Sequence, residues 1–214
     1  VLRLIAALLL CAPCTVMASV IDLSLSDSAA IYSARSAGYK GNRARLIEVG
    51  RERESLFIAK GMAVECWEGD IDCALSAVGV TVMTRAAIAS SPGVAITPGE
   101  ILSTPKQYTG FNSPRSLSRR KELKRLVERF LPVARFVVNG GLNGRCQPST
   151  HYAREEVLVK KRWGKSLINA GYSFYRLPDG HLVLAGVARF RHPGSRVSRV
   201  TTAQPKALKT GGSK

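Results

Sequence analysis

Apolar and polar positions change period along this chain, and the changes mark its elements. From Leu46 the apolar residues recur at helical spacing: Leu46, Val49, Leu56, Phe57, Met62 and Val64. That spacing predicts one or two helices running to about Cys66. A second apolar stretch, "DIDCALSAVGVTVMTRAAI", follows at Asp70. Its Ala74, Leu75, Val78, Val82 and Met83 go nearly all the way round a helix, so it is expected to be the central, buried one. Asp70 or Asp72 stands where a carboxylate caps a helix and suits its dipole. Small residues at Ala74, Ser76, Ala77 and Gly79 would let neighbours pack close.

The next segment, "SSPGVAITPGEILSTPKQYTGFNSP", carries four prolines and three glycines, which rule out a long helix. A loop of this length that also carries Tyr108 and Phe111 is often functional. Beyond it Leu123, Leu126, Val127, Phe130, Ala134, Val137 and Val138 form one apolar stripe of an amphipathic helix. Ser116 or Ser118 is placed to cap this helix and Pro132 to kink it, and Asn139-Gly140-Gly141 ends it. Its other face carries Arg119, Arg120, Lys121, Lys124 and Arg125, either a solvated face or an anion-facing ridge. "YSFYRLPDGHLVLAG" reads as two short strands around Pro178-Asp179-Gly180. The fold class is therefore α+β, mainly α, with one domain over residues 46–186 and a small β-hairpin. Residues 19–45, rich in Ser, Ala and Arg with little periodicity, read as a spacer. Residues 187–214 read as a basic, disordered tail.

Charge narrows the function. Lys and Arg number 32 against 15 Asp and Glu, a formal net charge of +17. Such an excess predicts an anionic partner: nucleic acid, an anionic membrane face or an acidic wall polymer. "VLRLIAALLLCAPCTVMAS" has a basic residue, a short apolar run and a small-residue site after Ala18, the pattern of a secretory signal over residues 1–18. Export to the periplasm or cell wall, whether the gene is bacterial or phage-borne, argues against an intracellular nucleic-acid role. Only Phe111 and Phe130 lie near the main basic cluster, short of the interleaved aromatics that single-strand binding uses. After the signal, Cys66, Cys73 and Cys146 remain. Cys66 and Cys73 either bridge across the "EGDID" turn or stay as buried thiols. His151 near Cys146 does not make a zinc site, and no metal or cofactor is expected.

Three islands carry candidate chemistry. Glu65 closes the first apolar helix, with Trp67 and Glu68 just behind it. "KQYTGF" (Lys106–Phe111) lies in the long loop. "STHY" (Ser149–Tyr152) follows the amphipathic helix, with Trp163 further on. Breaking a glycosidic bond needs a protonated acid at the leaving oxygen, and a carboxyl keeps its proton when partly desolvated. Glu65, beside Val64 and Trp67 and after the apolar "IAKGMA", is the candidate.

The order and spacing of these islands resemble the SleB-like cell-wall hydrolases. That family has a helix ending in a Glu-Ala-Arg-Gly-Glu-type motif and then an "EGQ-AVA-VV-NR" helix; here "MAVECWEGDIDCALSAVGVTVMTR" stands for both, with Thr84-Arg85 in place of Asn-Arg. A "QFS" motif corresponds to Gln107-Tyr108-Thr109, and "A-THY" to Ser149-Thr150-His151-Tyr152. A Pro-x-Trp-Ala element and a closing strand correspond to "KRWGKSLINAGYSFYR", Lys161–Arg176. Glu68-Gly69 stands where the family has Gly-Glu, offset by one residue. The resemblance covers about residues 50–177.

The resemblance implies a lysozyme-like or resuscitation-factor-like fold and cleavage of the MurNAc–GlcNAc bond of peptidoglycan by lytic transglycosylase chemistry. Glu65 would be the general acid and then the general base, while the muramyl 6-hydroxyl attacks and leaves a 1,6-anhydro product. A hydrolase would need a second acid, and Glu68 or Asp70 is the nearest in sequence. Gln107 would bond an acetamido group or orient the acid. Tyr108 would stack on a sugar. Thr150 and Tyr152 would bond the sugar or hold Glu65. His151 is expected to be structural more often than chemical, and Trp163 half core and half cleft wall. The basic clusters would hold the enzyme to anionic wall polymer or membrane by salt-sensitive attraction. Two alternatives from other classes are a non-catalytic wall or virion component that binds glycan and a basic nucleic-acid-binding protein.

Overall fold

The longest helix, α2 (Arg43–Glu65), is the element on which the others are placed. Asn42 starts it: its side-chain oxygen accepts from the Arg45 N–H at 2.9 Å. One helix thus spans the whole apolar pattern from Leu46 to Val64. This computed structural model describes residues 21–105, 107, 108, 111 and 120–190. The expected signal segment, the capping residues Ser116 and Ser118, and residues 191–214 of the expected tail lie outside the described residues.

Residues 21–45 are not a spacer. Ser26 caps helix α1 (Asp27–Ser36), which buries Ala29, Ala30 and Ala34 against α2. Leu23 and Leu25 are also buried, and the Leu25 N–H donates to the Val138 carbonyl at 3.0 Å. The segment looks polar in sequence because its buried residues are alanines. Those alanines are what the packing needs: a Cβ on Gly50 of α2 would lie 1.9 Å from the Ala30 carbonyl oxygen. The two helices touch backbone to backbone. A buried carboxylate, Glu54, joins the same region by accepting from the Ser33 hydroxyl and from the Gly99 N–H. Burial raises its pKa, and those two donors hold it back.

The second apolar stretch is the central helix, as its pattern predicts. Asp70 accepts from the Cys73 N–H at 2.7 Å, which settles the choice of capping residue. The helix runs first as a π-helical segment (Cys73–Gly79) and then as α3 (Val80–Ala89). Gly79 keeps the way open for Val137, whose Cγ2 would be 3.1 Å from a Cβ there. The Cys66 and Cys73 sulfurs are bonded at 2.06 Å, and Cys146 is free. Closing so short a loop contributes about 2–3 kcal/mol in the chain-entropy account.

A short helix, α4 (Pro98–Ser103), interrupts the long loop through a capping box between Thr97 and Glu100. Helix α5 (Arg120–Val138) contains Pro132 and buries Leu126, Phe130, Ala134, Val137 and Val138. Its Lys121, Lys124 and Arg125 are exposed. Arg135 on α5 grips Glu52 on α2 with two hydrogen bonds, at 2.9 and 2.6 Å.

The sheet has three strands rather than two. Strand β1 (Tyr152–Arg154) leads into short helices α6 (Glu155–Lys160) and α7 (Arg162–Asn169), then β2 (Phe174–Arg176) and β3 (His181–Leu184). The order is β1-β3-β2, antiparallel, with Tyr152 opposite Val183 and Arg154 opposite His181. A three-residue strand is too short to show a period of its own, so only the hairpin was readable. The tail begins later than 187: Ala188 is buried and its N–H donates to the Thr150 hydroxyl at 2.9 Å. The class is α+β, mainly α. Among the described residues no helix is long and apolar enough to cross a membrane.

The α1–α2 contact makes a direct prediction. Gly50→Ala is expected to cost about 1–3 kcal/mol by forcing the helices apart. A urea midpoint equal to that of the wild type would refute the contact.

Candidate active site

Glu65 is the last residue of α2, followed at once by the bridged Cys66. The Tyr152 side chain, on β1, lies close enough to Glu65 for the carboxylate charge to act on its hydroxyl. Burial first, and the nearby Glu65 charge second, raise the Tyr152 pKa well above the usual phenol value, so this hydroxyl stays a donor. The Tyr152 ring stands 6.5 Å from that of Tyr108 and 5.9 Å from that of His181. The fold therefore brings all three islands together: the end of α2, the loop at 107–108 and the start of β1.

One residue assembles them, and sequence reasoning gave it no role. Arg85 is buried on α3. Its Nε donates to the Thr150 carbonyl at 2.8 Å, and a terminal nitrogen donates to the Gln107 side-chain oxygen at 3.3 Å. It also lies 5.3 Å from the centre of the Tyr108 ring and 4.9 Å from that of the Phe190 ring. A lone arginine on an otherwise apolar helix was the signal available. Next to it Thr84 accepts from the Ser149 N–H at 3.2 Å.

The cleft beside Glu65 has a volume of about 250 Å³. Its walls are Glu65–Glu68, Asp70, Arg154, Asp179 and His181. Several expected ligand contacts are corrected here. Tyr108 and Thr150 are fully buried, so neither meets a sugar directly. The Thr150 hydroxyl is taken up by Ala188 and by His151 Nδ1, 3.0 Å away. Gln107 faces Arg85, an orienting rather than a ligand-bonding position. These three residues support the site from behind. Trp163, 37% exposed, lies against the His151 ring at 5.3 Å and does not line the cleft. Glu68 lines it but is exposed, 3.9 Å from Arg154.

His151 is held neutral. Burial, then the Arg85 charge, lowers its pKa to about 3. A ring that refuses a proton at neutral pH is no general acid, which fits a positioning role.

Arg154, Asp179 and His181 were missed in the sequence. Pro178-Asp179-Gly180 read as a turn, and the turn explained Asp179 without chemistry. In the structure Asp179 also accepts from His181 Nδ1, at 2.6 Å. Cys73, Asp179 and His181 offer donor atoms within 4.8 Å of one another. The Cys73 sulfur is spent in the disulfide, so two donors remain, and these residues do not fit a metal centre.

Comparison with protein-family models, with curated proteins and with solved structures finds no match for this chain.

Two predictions follow from this geometry. His151 binds its proton more weakly folded than unfolded, so acidification from about pH 6.5 towards pH 3 favours the unfolded chain. Urea unfolding between about pH 7 and pH 4 should show stability falling with pH, and His151→Gln should flatten that slope. Arg85→Met orphans the Thr150 carbonyl and is expected to cost about 1–3 kcal/mol for that group alone. The same unfolding assay checks it, with an unchanged midpoint as the refuting result.

Proposed function

We propose that this chain is a lysozyme-like glycosidase of cell-wall peptidoglycan, with Glu65 as its general acid. The observation that carries this reading is the setting of Glu65: a carboxyl at a helix end, on the wall of a cleft of about 250 Å³, with the Tyr152 hydroxyl near it. A fixed carboxyl that faces both protein and cleft is what protonation of a glycosidic oxygen requires. The ordered motifs shared with the SleB-like hydrolases point to the same residue.

The substrate bond is the MurNAc–GlcNAc link of the glycan strand. Glu65 gives its proton to the leaving oxygen as the bond at the anomeric carbon breaks. The muramyl 6-hydroxyl then closes on that carbon and leaves a 1,6-anhydro end. Arg85, Gln107 and Tyr108 keep the loop and β1 in register, and through Tyr152 they keep Glu65 in place. The exposed Lys121, Lys124 and Arg125 of α5, with Lys160, Lys161, Arg162 and Lys165 around α6 and α7, offer positive charge to anionic wall polymer.

Purified sacculi digested with the wild type and with Glu65→Gln test this, with mass spectrometry of the soluble products. Anhydro-muropeptides from the wild type are expected, and at least about 10²-fold fewer from the variant. Reducing-end muropeptides would make water the attacking group. No product from the wild type would leave a wall-binding module without catalysis.

A further inference from the structure

The cleft that Glu65 lines holds a second acid–base group, the Asp179–His181 pair at the β2–β3 turn. We propose that His181, oriented by Asp179, is the base of this cleft and takes the proton of the hydroxyl that attacks the anomeric carbon. The inference rests on the glycosidase reading of the same site.

Asp179 holds His181 at two points. One carboxylate oxygen accepts from the His181 backbone N–H at 3.0 Å, and the other from ring Nδ1 at 2.6 Å. The first contact is enough to shape the turn; the second is not needed for it. A carboxylate on Nδ1 sets the tautomer and leaves Nε2 as the proton acceptor. The pair is nearly enclosed, with side chains 9% and 6% exposed, yet both residues line the cleft that Glu65 lines. Tyr152 links the two groups, with its hydroxyl near the Glu65 charge and its ring 5.9 Å from that of His181.

The charged groups around the pair agree with this role. Burial pushes the Asp179 carboxyl up, but the two His181 contacts and the Arg154 charge outweigh it and hold Asp179 below its usual range. Asp179 is thus an anion, able to stabilise an imidazolium. Arg154 stands opposite His181 in the β1–β3 register. Glu65, Glu68 and Asp70 face the pair from the end of α2 and the turn after it. Cys73 Sγ lies 3.9 Å from Nδ1, but as a disulfide sulfur it does not titrate.

The proton balance closes. The Glu65 carboxyl protonates the glycosidic oxygen, and the bond from that oxygen to the anomeric carbon breaks. The muramyl 6-oxygen bonds the anomeric carbon, and its proton passes to His181 Nε2. The imidazolium then returns a proton to solvent, and the Glu65 carboxylate takes one from solvent. No oxidant, metal or cofactor enters.

The test compares the full chain with Glu65→Gln, His181→Ala and Asp179→Asn on purified sacculi, following product release against pH and with added imidazole. His181→Ala is expected to lose about 10²–10⁴-fold in rate. Its residual activity should lack the acidic limb of the wild-type profile or recover in imidazole. Asp179→Asn should lose rate as well, by releasing the tautomer. Wild-type rate in His181→Ala, with Glu65→Gln inactive, would overturn the base assignment and leave the glycosidase standing. So would a loss that keeps the acidic limb and gains nothing from imidazole, since that marks a structural role. A wild type that releases no product would overturn both readings together.

Discussion

The guanidinium of Arg85 is the interaction on which the site depends. It is a buried cation that donates to the Thr150 carbonyl and the Gln107 amide oxygen and lies over the Tyr108 ring. A charge removed from water is tolerated only when its hydrogen bonds are made. Those acceptors come from two parts of the chain with no local reason to meet. Their assembly puts β1 in the one register that carries the Tyr152 hydroxyl to Glu65. Burial first and this charge second keep His151 neutral.

Around this point the molecule separates two kinds of charge. The outer faces of α5, α6 and α7 carry lysines and arginines that are free to meet an anionic polymer. The cleft is different: Glu65, Glu68, Asp70 and Asp179 line it against the single cation Arg154. A strongly basic protein thus keeps a locally acidic cleft. Under the proposed function, that arrangement would leave long-range attraction and short-range acid–base work to different residues.

The end of α2 is held from both directions. Behind it, Cys66 is bonded to Cys73, which begins the π-helical segment of the central helix. In front of it, Tyr152 reaches from the sheet. A helix terminus frays when its last turn has no partners; here a covalent anchor falls on the residue next to Glu65. The same disulfide sits beside His181, so the α2 end and the β2–β3 turn share one wall.

Much of this was legible in the chain. The 3.6-residue pattern placed α2, the central helix and α5, because long amphipathic elements repeat their signal several times. The strand pattern around Pro178-Asp179-Gly180 placed the hairpin. Glu65 was visible as a carboxylate closing an apolar helix, and the loop and β1 islands by their order and spacing. What the pattern hid had physical causes. Helix α1 packs through alanines, which bury little area each and carry little periodic signal, and only the close approach at Gly50 shows that they are core. Strand β1 is too short to repeat. Tyr108 and Thr150 looked like ligand contacts because aromatic and hydroxyl groups in loops often are, but burial is a property of what packs over them. Arg85 and the Asp179–His181 pair depend on partners distant in sequence or on an orientation within a turn. Local propensity determined the elements of this protein; which of its polar groups face one another was decided only when the helices, the loop and the sheet closed on a buried charge.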